Sequence, residues 1–225
     1  MAVGDAATEV PSKAGTAEQD DGEELTITSI AALERLYPAA GGAALTKVVP
    51  QLTPAYRTHI AAAPFVALAT AGPGGLDCSP RGDRGSVVTI ADDRTLLIAD
   101  RPGNNRLDSL RNIVHDDRIG LLFLTPGLDM TVRVNGSATL SVAPHLLDRL
   151  AIDGKRPRLV IVVSIHEVYA QCSRALLRAR MWEPEGRVDA DSLPKMGEIL
   201  REIEASFDAE EFDREWPQRA RQALW

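Results

Sequence analysis

Short apolar segments separated by tight turns dominate the sequence, and they constrain the fold more than any other feature. Six of these segments form three pairs, and the turns inside the pairs are Gly72-Pro73-Gly74-Gly75, Asp92-Asp93 and Pro126-Gly127. Gly, Pro and Asp between two runs of aliphatic and β-branched residues are typical of a β-hairpin. The most apolar segment, residues 159–170, follows the three pairs. The pattern therefore predicts strands that are joined mainly by hairpins.

Segments with helical spacing of their apolar residues lie around and between the hairpins, and they are residues 29–36, 54–63, 104–116, 144–150, 172–180 and 194–207. About six strands with inserted helices predict an α+β protein built on an antiparallel barrel, rather than a doubly wound parallel sheet. Gly136 predicts a bulge where a long strand curves around that barrel. No Gly-x-Gly-x-x-Gly motif opens a helix, so a Rossmann fold or a P-loop is not predicted.

The chain divides into two parts by composition. Residues 1–25 are mostly Ala, Gly, Thr and acidic residues, with too few apolar groups to offset the entropy cost of ordering them. We therefore predict a disordered N-terminal tail over residues 1–25 and one barrel domain with C-terminal helices over residues 26–225. A domain of that length can bury its own core.

Composition also limits the partners that we expect. The formal net charge is −7 and the pI about 5.2, which gives no electrostatic reason to expect nucleic acid as a partner. No apolar run reaches the roughly 18 residues that a membrane span requires. Cys78 and Cys172 lie far apart in the sequence, so we expect two buried thiols in a reducing compartment. With no signal peptide recognisable, the predicted location is cytoplasmic.

A candidate anion site lies where a strand is predicted to run into a helix. Residues 79–85 and 100–106 contain Arg81, Arg101 and Arg106, together with the amide donors Asn104 and Asn105. Free N–H groups at a helix start favour an anion, and arginine binds phosphate in a bidentate way. The alternative is a solvated turn in which these arginines pair with neighbouring aspartates.

A second chemically rich segment follows the last predicted strand. Its side chains include His166, Cys172, Arg174 and Trp182. Two potential ligands are too few for a zinc site, so we predict no metal. The segment is either an ordinary strand end followed by a helix or a place where Arg174 and Trp182 contact a cofactor. No spacing of serine, histidine and acid indicates a catalytic triad, and no catalytic residue is predicted.

Residues 95–141, together with residues 77–85, resemble the central section of the pyridoxamine 5'-phosphate oxidase-like flavoproteins. The resemblance covers about residues 45–183, and its most specific part is the run Arg101-Pro102-Gly103-Asn104-Asn105-Arg106 with the residues that follow it. It implies a six-stranded antiparallel split barrel of the FMN-binding type. It also implies a homodimer that holds FMN at the subunit interface and acts on a small-molecule substrate.

The resemblance assigns roles residue by residue. Asn104-Asn105-Arg106 stand where the oxidases have a phosphate-binding Ser-Arg-Lys, and residues 131–136 match the strand that carries Gln-Val-Arg-Val-Glu-Gly. The phosphate-site Lys, the flavin-facing Gln and the C-terminal motif for pyridoxamine phosphate are absent, so we do not expect that oxidase activity. The implied cofactor site consists of Ser79, Arg81, Arg101, Asn104, Asn105, Arg106, Arg133, Arg174 and Trp182.

Three functions are compatible with these observations. The first is an FMN-dependent oxidoreductase that passes hydride or electrons between a reduced nicotinamide and a small organic acceptor. The second is a deazaflavin-dependent reductase, in which the basic loop Lys155-Arg156-Pro157-Arg158 would contact the longer anionic tail of that cofactor. The third is a non-catalytic module that binds flavin or haem. We expect the first.

Overall fold

The computed structural model describes residues 26–222 and residue 224. The predicted tail, residues 1–25, lies outside this range, so the boundary placed there stays a prediction. The chain separates into two compact units, Met1–Gly41 and Gly42–Trp225. The described part of the first unit contains α1 (Ile30–Glu34), and the Ser29 hydroxyl accepts a hydrogen bond from the Ala32 N–H at 3.2 Å. This bond is a standard N-cap contact.

The second unit alternates strands and helices. Its strands are β1 (Phe65–Gly72), β2 (Gly75–Gly82), β3 (Thr89–Ile90), β4 (Thr95–Ala99), β5 (Arg118–Leu124), β6 (Thr131–Ser141) and β7 (Val160–Gln171). Its helices are α2 (Ala43–Thr46), α3 (Pro54–Ala61), α4 (Asp108–His115), α5 (Pro144–Arg149), α6 (Arg174–Arg178), α7 (Met196–Ile203) and α8 (Ala209–Gln222). Two single 3-10 turns lie between α6 and α7.

The strands form one antiparallel sheet in the order β2-β1-β5-β6-β7-β4-β3. The predicted α+β class and the split-barrel type are confirmed, although the described sheet has seven strands instead of six. The shortest strand is β3, the first strand of the second predicted hairpin, which pairs over only two residues because the backbone bends before Thr89. All three predicted hairpins are present, since β1 pairs with β2, β3 with β4 and β5 with β6.

The predicted bulge lies at Gly136. The register between β6 and β7 shifts between Asn135 and Gly136, and a Cβ atom on Gly136 would stand 2.1 Å from the Ser164 carbonyl oxygen. Only glycine allows the two backbones to approach so closely. A bulge of this kind bends a strand locally and increases its twist.

The main hydrophobic core packs on one face of this sheet. Its largest members are Ile60, Leu68, Leu96, Ile98, Leu121, Phe123 and Ile161, all of them fully buried. Burial alternates along β1 and β5, which is the pattern of strands with one face on the core. The prediction that both thiols are buried is wrong, because Cys78 and Cys172 are exposed. Cys78 points to the outer face of β2, where the alternation places it.

Helix α4 packs on β1 through polar contacts as well as apolar ones. The side-chain amide of Asn112 donates to the Thr70 hydroxyl at 3.1 Å, and both residues are buried. Gly72 gives the helix room, because a Cβ atom there would stand 2.3 Å from Asn112 Oδ1. These contacts hold the middle of α4 against the end of β1. In the part of the chain that the structure describes, no helix is long and apolar enough to cross a membrane.

Candidate functional site

A cavity of about 350 Å³ opens where β2 and β4 end and the loop into α4 begins. We call it the arginine pocket. Most of the predicted anion-binding residues line it, and one cation that the sequence placed elsewhere joins them: Arg81, Arg101, Asn104, Asn105, Arg106 and Arg158. Asp83 and Asp100 contribute carboxylates to its wall. The structure therefore brings together side chains from three separate stretches of sequence.

Arg81 projects from β2 into the arginine pocket. One of its terminal nitrogens donates to the Ser109 hydroxyl at 3.1 Å, and the other donates to the Pro80 carbonyl at 3.0 Å. Its Nε atom is buried and has no hydrogen-bond partner among the described residues. A buried N–H without a partner is costly unless a ligand or water accepts from it. The guanidinium of Arg81 is therefore able to donate one more hydrogen bond to an anion.

Ser79 lies beside this pocket without lining it. Its hydroxyl donates to Asp77 at 2.7 Å, and the Ser109 hydroxyl donates to the same carboxylate oxygen at 2.6 Å. Ser109 belongs to the first turn of α4, so the network ties β2 to the helix start. Asp77 thus holds both Ser79 and Ser109, and the Ser109 hydroxyl in turn accepts from Arg81. This is an indirect position for Ser79, which was predicted to contact the cofactor.

The helix predicted over 104–116 begins four residues later, at Asp108. Pro102 and Gly103 do not favour helix, and Asn105 has the left-handed φ of 58°. The Asn104 side-chain oxygen accepts from the Arg106 N–H at 3.0 Å, which closes a turn. The three residues from Asn104 to Arg106 therefore form a loop ahead of the helix. The N-cap position of α4 is Leu107, whose side chain cannot accept a hydrogen bond, so the N-terminal end of α4 lacks a side-chain cap.

Arg106 stands on the outer rim of the arginine pocket. Its side chain is 76% exposed, and its Nε donates to the Asp108 carboxylate at 2.9 Å. This hydrogen bond raises the pKa of Arg106 above its usual value. The contact is the one expected for a solvated turn. An exposed ion pair of this kind is weak, so an incoming anion can compete for the guanidinium.

Arg101 stands on the inner wall, and its surroundings differ. Its side chain is only 16% exposed and pairs with Asp83, which is 10% exposed, at 2.9 Å. It also donates to the Leu150 carbonyl at 2.9 Å. Asp83 and the Leu150 carbonyl thus hold Arg101 away from solvent, although Pro102 follows it at the start of an exposed loop. Arg101 therefore joins the end of β2 to the end of α5.

Asp100 and Arg158 complete the arginine pocket, although the sequence analysis placed Arg158 only in the loop that would contact a deazaflavin tail. Burial raises the pKa of Asp100, while the positive charges of Arg81 and Arg158 lower it by less. The Arg158 guanidinium donates to the Asn105 side chain at 2.8 Å. The basic run at residues 155–158 was visible in the sequence, but its position beside Asn105 depends on the pairing of β4 with β7.

The remaining predicted residues, Arg133, Arg174 and Trp182, do not line the arginine pocket. Arg133 lies on the outer face of β6, where its guanidinium stands 5.3 Å from the centre of the Tyr169 ring. Arg174 is the first residue of α6. The Trp182 ring N–H donates to the Leu128 carbonyl at 2.9 Å, which attaches the segment after α6 to the turn between β5 and β6.

Arg133 borders a shallow groove on the outer face of the sheet, with a volume of about 360 Å³. We call it the outer groove. Small and apolar side chains form most of its floor, including Ala67, Ala69, Gly120, Leu122 and Leu124. Phe65 and Leu76, on β1 and β2, are further apolar side chains exposed in this chain. The predicted cofactor residues are thus divided between the arginine pocket and the outer groove, which Arg133 lines, while Ser79, Arg174 and Trp182 line neither.

The chemistry of the arginine pocket suits a phosphate group. Arg81 supplies a donor without a partner, Arg106 and Arg158 supply charge, and the amides of the loop supply further donors. The described residues that line the pocket include no base, acid and nucleophile arrangement. Over residues 26–222 and 224, no three His, Cys, Asp or Glu side chains are placed to share a metal ion.

The family model for pyridoxamine 5'-phosphate oxidase matches residues 52–172, which is more than half of the chain. No protein with a curated description matches. Among solved structures, a candidate pyridoxamine 5'-phosphate oxidase from Lactobacillus delbrueckii is 20% identical with a TM-score of 0.44, and the match covers 54% of this chain and 95% of that one. HupZ from Group A Streptococcus is 14% identical with a TM-score of 0.44, and the match covers 53% of this chain and 93% of HupZ. An FMN-binding protein from Syntrophomonas wolfei is 16% identical with a TM-score of 0.38, and the match covers 52% of this chain and 80% of that protein.

Proposed function

The chain belongs to the pyridoxamine 5'-phosphate oxidase family, and from this premise we propose that it is a flavoprotein that holds the FMN phosphate in its arginine pocket. The observation that carries the proposal is Arg81, which lines a cavity rich in cations and whose buried Nε lacks a partner among the described residues. A dianion needs both fixed positive charge and several N–H donors. The pocket residues fit that requirement.

Each side chain has a distinct part in this proposal. Arg81 would donate to the phosphate from the end of β2, held in place by Ser109. Arg106 would exchange its exposed contact with Asp108 for the phosphate. Arg158 would close the pocket from the β7 side while keeping its bond to Asn105. Arg101 would shape the pocket through Asp83 instead of binding the phosphate.

We further propose that the protein is an oxidoreductase acting between a reduced nicotinamide and a small organic acceptor. When bound, FMN supplies the hydride and electron chemistry, and the protein supplies binding and orientation. The described pocket residues include no nucleophile and base arrangement, which is compatible with a protein that binds and orients a cofactor while the cofactor performs the chemistry. The unpaired thiols Cys78 and Cys172 are compatible with a reducing, cytoplasmic location.

The proposal includes a homodimer. Arg133, Arg174 and Trp182 do not reach the arginine pocket of their own chain, and the outer groove exposes apolar side chains on the sheet face. A second copy packed on that face would cover the groove and bring these residues to a shared cofactor site. Sedimentation of the FMN-loaded protein tests this: a monomer at micromolar concentration contradicts it.

Titration of FMN into the apo protein tests cofactor binding, with flavin fluorescence quenching as the readout. We expect saturable binding with one FMN per chain. Arg81→Ala should weaken it by about tenfold or more, because a charge-assisted hydrogen bond contributes about 1.5–3 kcal/mol. Arg118→Ala is the matched control, since Arg118 is an exposed, ion-paired arginine outside the pocket.

If Arg81→Ala binds FMN as tightly as the parent, the phosphate site lies elsewhere. The absorption spectrum of the protein as purified, followed by the mass of the released cofactor, separates FMN from a deazaflavin or haem. Oxidation of a reduced nicotinamide by the loaded protein then separates an enzyme from a binding module.

A further inference from the structure

Two carboxylates are among the described residues that line the arginine pocket, and their surroundings differ. Asp83 is paired with Arg101 at 2.9 Å and is neutralised by it. Asp100 is half-buried, and in the part of the chain that the structure describes no side chain or backbone N–H donates a hydrogen bond to its carboxylate. Polar groups in such positions normally have hydrogen-bond partners. The carboxylate of Asp100 is therefore an acceptor that a ligand can use.

The pairing of β4 with β7 fixes the position of Asp100. It follows Ala99, the last residue of β4, and its N–H donates to the Leu159 carbonyl at 3.0 Å. Its carbonyl accepts from the Arg158 N–H at 3.4 Å. Side chains alternate along a strand, so Asp100 lies on the same face as Ile98, which is fully buried and also lines the arginine pocket. The carboxylate is thus held beside an apolar part of the pocket wall.

The arginines near Asp100 do not compensate its charge fully. Arg81 donates to Ser109 and to the Pro80 carbonyl, and Arg158 donates to Asn105. Both arginines attract the Asp100 carboxylate, but burial raises the pKa of this group by more than the two positive charges lower it. An ionised carboxylate in this place opposes the entry of a second negative charge. A bare anion therefore binds against this repulsion.

A donor without a partner lies in the same pocket. The Nε of Arg81 is buried and donates to no other described residue. A phosphate without further polar groups can accept from this donor, but it cannot donate a carbon-bound hydroxyl to Asp100. A phosphate ester that carries hydroxyl groups can do both, since phosphate oxygens accept from a guanidinium and a hydroxyl donates to a carboxylate. The pocket therefore complements an anion and a hydroxyl group in one ligand.

We propose that Asp100 determines specificity in the arginine pocket by accepting a hydrogen bond from a hydroxyl group on the carbon chain of a bound phosphate monoester. The ligand class is a polyol phosphate, and the ribityl phosphate arm of FMN is one member of it. This inference rests on the phosphate site proposed above. It has two consequences: hydroxyl groups strengthen binding, and the charge of Asp100 weakens the binding of phosphates that lack them.

The test compares two phosphate monoesters with five-carbon chains, ribitol 5-phosphate and pentyl phosphate, which differ only in their hydroxyl groups. Their affinities for the apo protein are measured at pH 7 by isothermal titration calorimetry. The parent should bind ribitol 5-phosphate about tenfold more tightly than pentyl phosphate, because a hydrogen bond to a charged acceptor is gained. Neither ligand contains a flavin, so this readout does not depend on the isoalloxazine ring.

Two substitutions of Asp100 separate its hydrogen bond from its charge. Asp100→Leu removes the acceptor and the charge, so the preference for ribitol 5-phosphate should disappear and pentyl phosphate should bind more tightly than to the parent. Asp100→Asn removes the charge but keeps an amide oxygen that accepts from a hydroxyl, so a preference of a few-fold should remain. Asp117→Leu is the matched control, since Asp117 is an exposed acid outside the pocket, and it should bind both ligands as the parent does.

A preference that persists unchanged in Asp100→Leu, or the lack of a preference in the parent, overturns the inference. Equal weakening of both ligands in Asp100→Leu also overturns it, because Asp100 would then act on the phosphate group or on the fold. If Asp100→Leu does not fold, Asp100→Asn decides: tighter binding of pentyl phosphate with a reduced preference supports the inference, and unchanged affinities contradict it.

FMN binding to the parent is measured separately, so that the two proposals can fail independently. If the parent binds FMN without a preference between the two esters, the proposed function stands and the role of Asp100 is overturned. If the parent prefers ribitol 5-phosphate but does not bind FMN, the proposed function is overturned. The pocket would then still be a polyol phosphate site in which Asp100 selects the ligand.

Discussion

The inner wall and the outer rim of the arginine pocket present the same side chain in two different settings. Arg101 on the inner wall is largely buried and bound to Asp83, whereas Arg106 on the outer rim is exposed and bound to Asp108. Both pairs have nitrogen–oxygen distances of 2.9 Å. Distance therefore does not distinguish them, and burial does.

The difference shows which cations a ligand can use. Removing one partner of a buried pair leaves an uncompensated charge in a poorly solvated place, so the buried pair must stay intact. An exposed pair contributes little, so its members can change partners. Arg101 should consequently matter for folding and Arg106 for binding. Each of the following predictions tests this division.

The largest expected effect is on the stability of Arg101→Ala. The substitution leaves Asp83 buried without its partner and the Leu150 carbonyl without a donor. We expect the free energy of unfolding of the apo protein to fall by about 3 kcal/mol, measured by urea denaturation. A loss no larger than that of Arg118→Ala would show that the inner wall does not depend on the pair.

A second variant distinguishes loss of the pair from loss of volume. Arg101→Met combined with Asp83→Leu removes both charges and keeps apolar bulk in their place. Because apolar replacement of a whole buried pair is often close to neutral, the double variant should regain most of the stability that Arg101→Ala loses.

The next largest effect is on FMN binding by Arg106→Ala. In contrast to Arg101→Ala, this substitution should leave stability unchanged. Its urea midpoint should match that of the parent, since the side chain is exposed and its pair with Asp108 is solvated. FMN binding should weaken about tenfold, because one charge-assisted hydrogen bond to the phosphate is lost. Equal FMN affinity with lowered stability would contradict the assignment of the outer rim to binding.

Features that depend on neighbouring residues in the chain could be predicted from the sequence, and features that depend on distant residues could not. Arg101 and the residues Asn104 to Arg106 lie together because they belong to one loop between β4 and α4, where the sequence shows turn chemistry and a strand-to-helix step. Arg81, at the end of β2, lines the same pocket although β2 and β4 are not neighbours in the sheet. The hairpins and the bulge at Gly136 were predictable from neighbouring residues as well. The orientation of Arg101 was not, since it depends on Asp83 and on the Leu150 carbonyl, which lies 49 residues away.

Long-range pairing accounts for most of what the sequence missed. Arg158 reaches Asn105 only because Ala99 of β4 lies opposite Val160 of β7. No local pattern at residues 155–158 indicates that neighbour. The helix start at Asp108 was missed for a different reason, because the left-handed conformation of Asn105 interrupts a stretch whose apolar spacing continues beyond it.

The smallest expected effect concerns Asp100, the carboxylate that faces Arg81 and Arg158 in the arginine pocket. Burial raises its pKa in the folded protein above the ordinary value of 3.8. Its contribution to stability is therefore fully present below pH 3.8 and is lost as the pH rises through the folded pKa. Asp100→Asn should be more stable than the parent at pH 7, measured by thermal unfolding of the apo proteins, and the gap should close as the pH falls toward 3.8.

Asp116 provides a control of opposite sign. Hydrogen bonds from Arg118 lower its pKa to about 2, so its contribution is present above pH 3.8 and is lost as the pH falls through about 2. Asp116→Asn should consequently be slightly less stable than the parent at pH 7, and its deficit should shrink on acidification. If Asp100→Asn instead lost stability at pH 7, the attraction of Arg81 and Arg158 would outweigh burial. The pocket would then depend on Asp100 as an internal counterion that an arriving phosphate must replace.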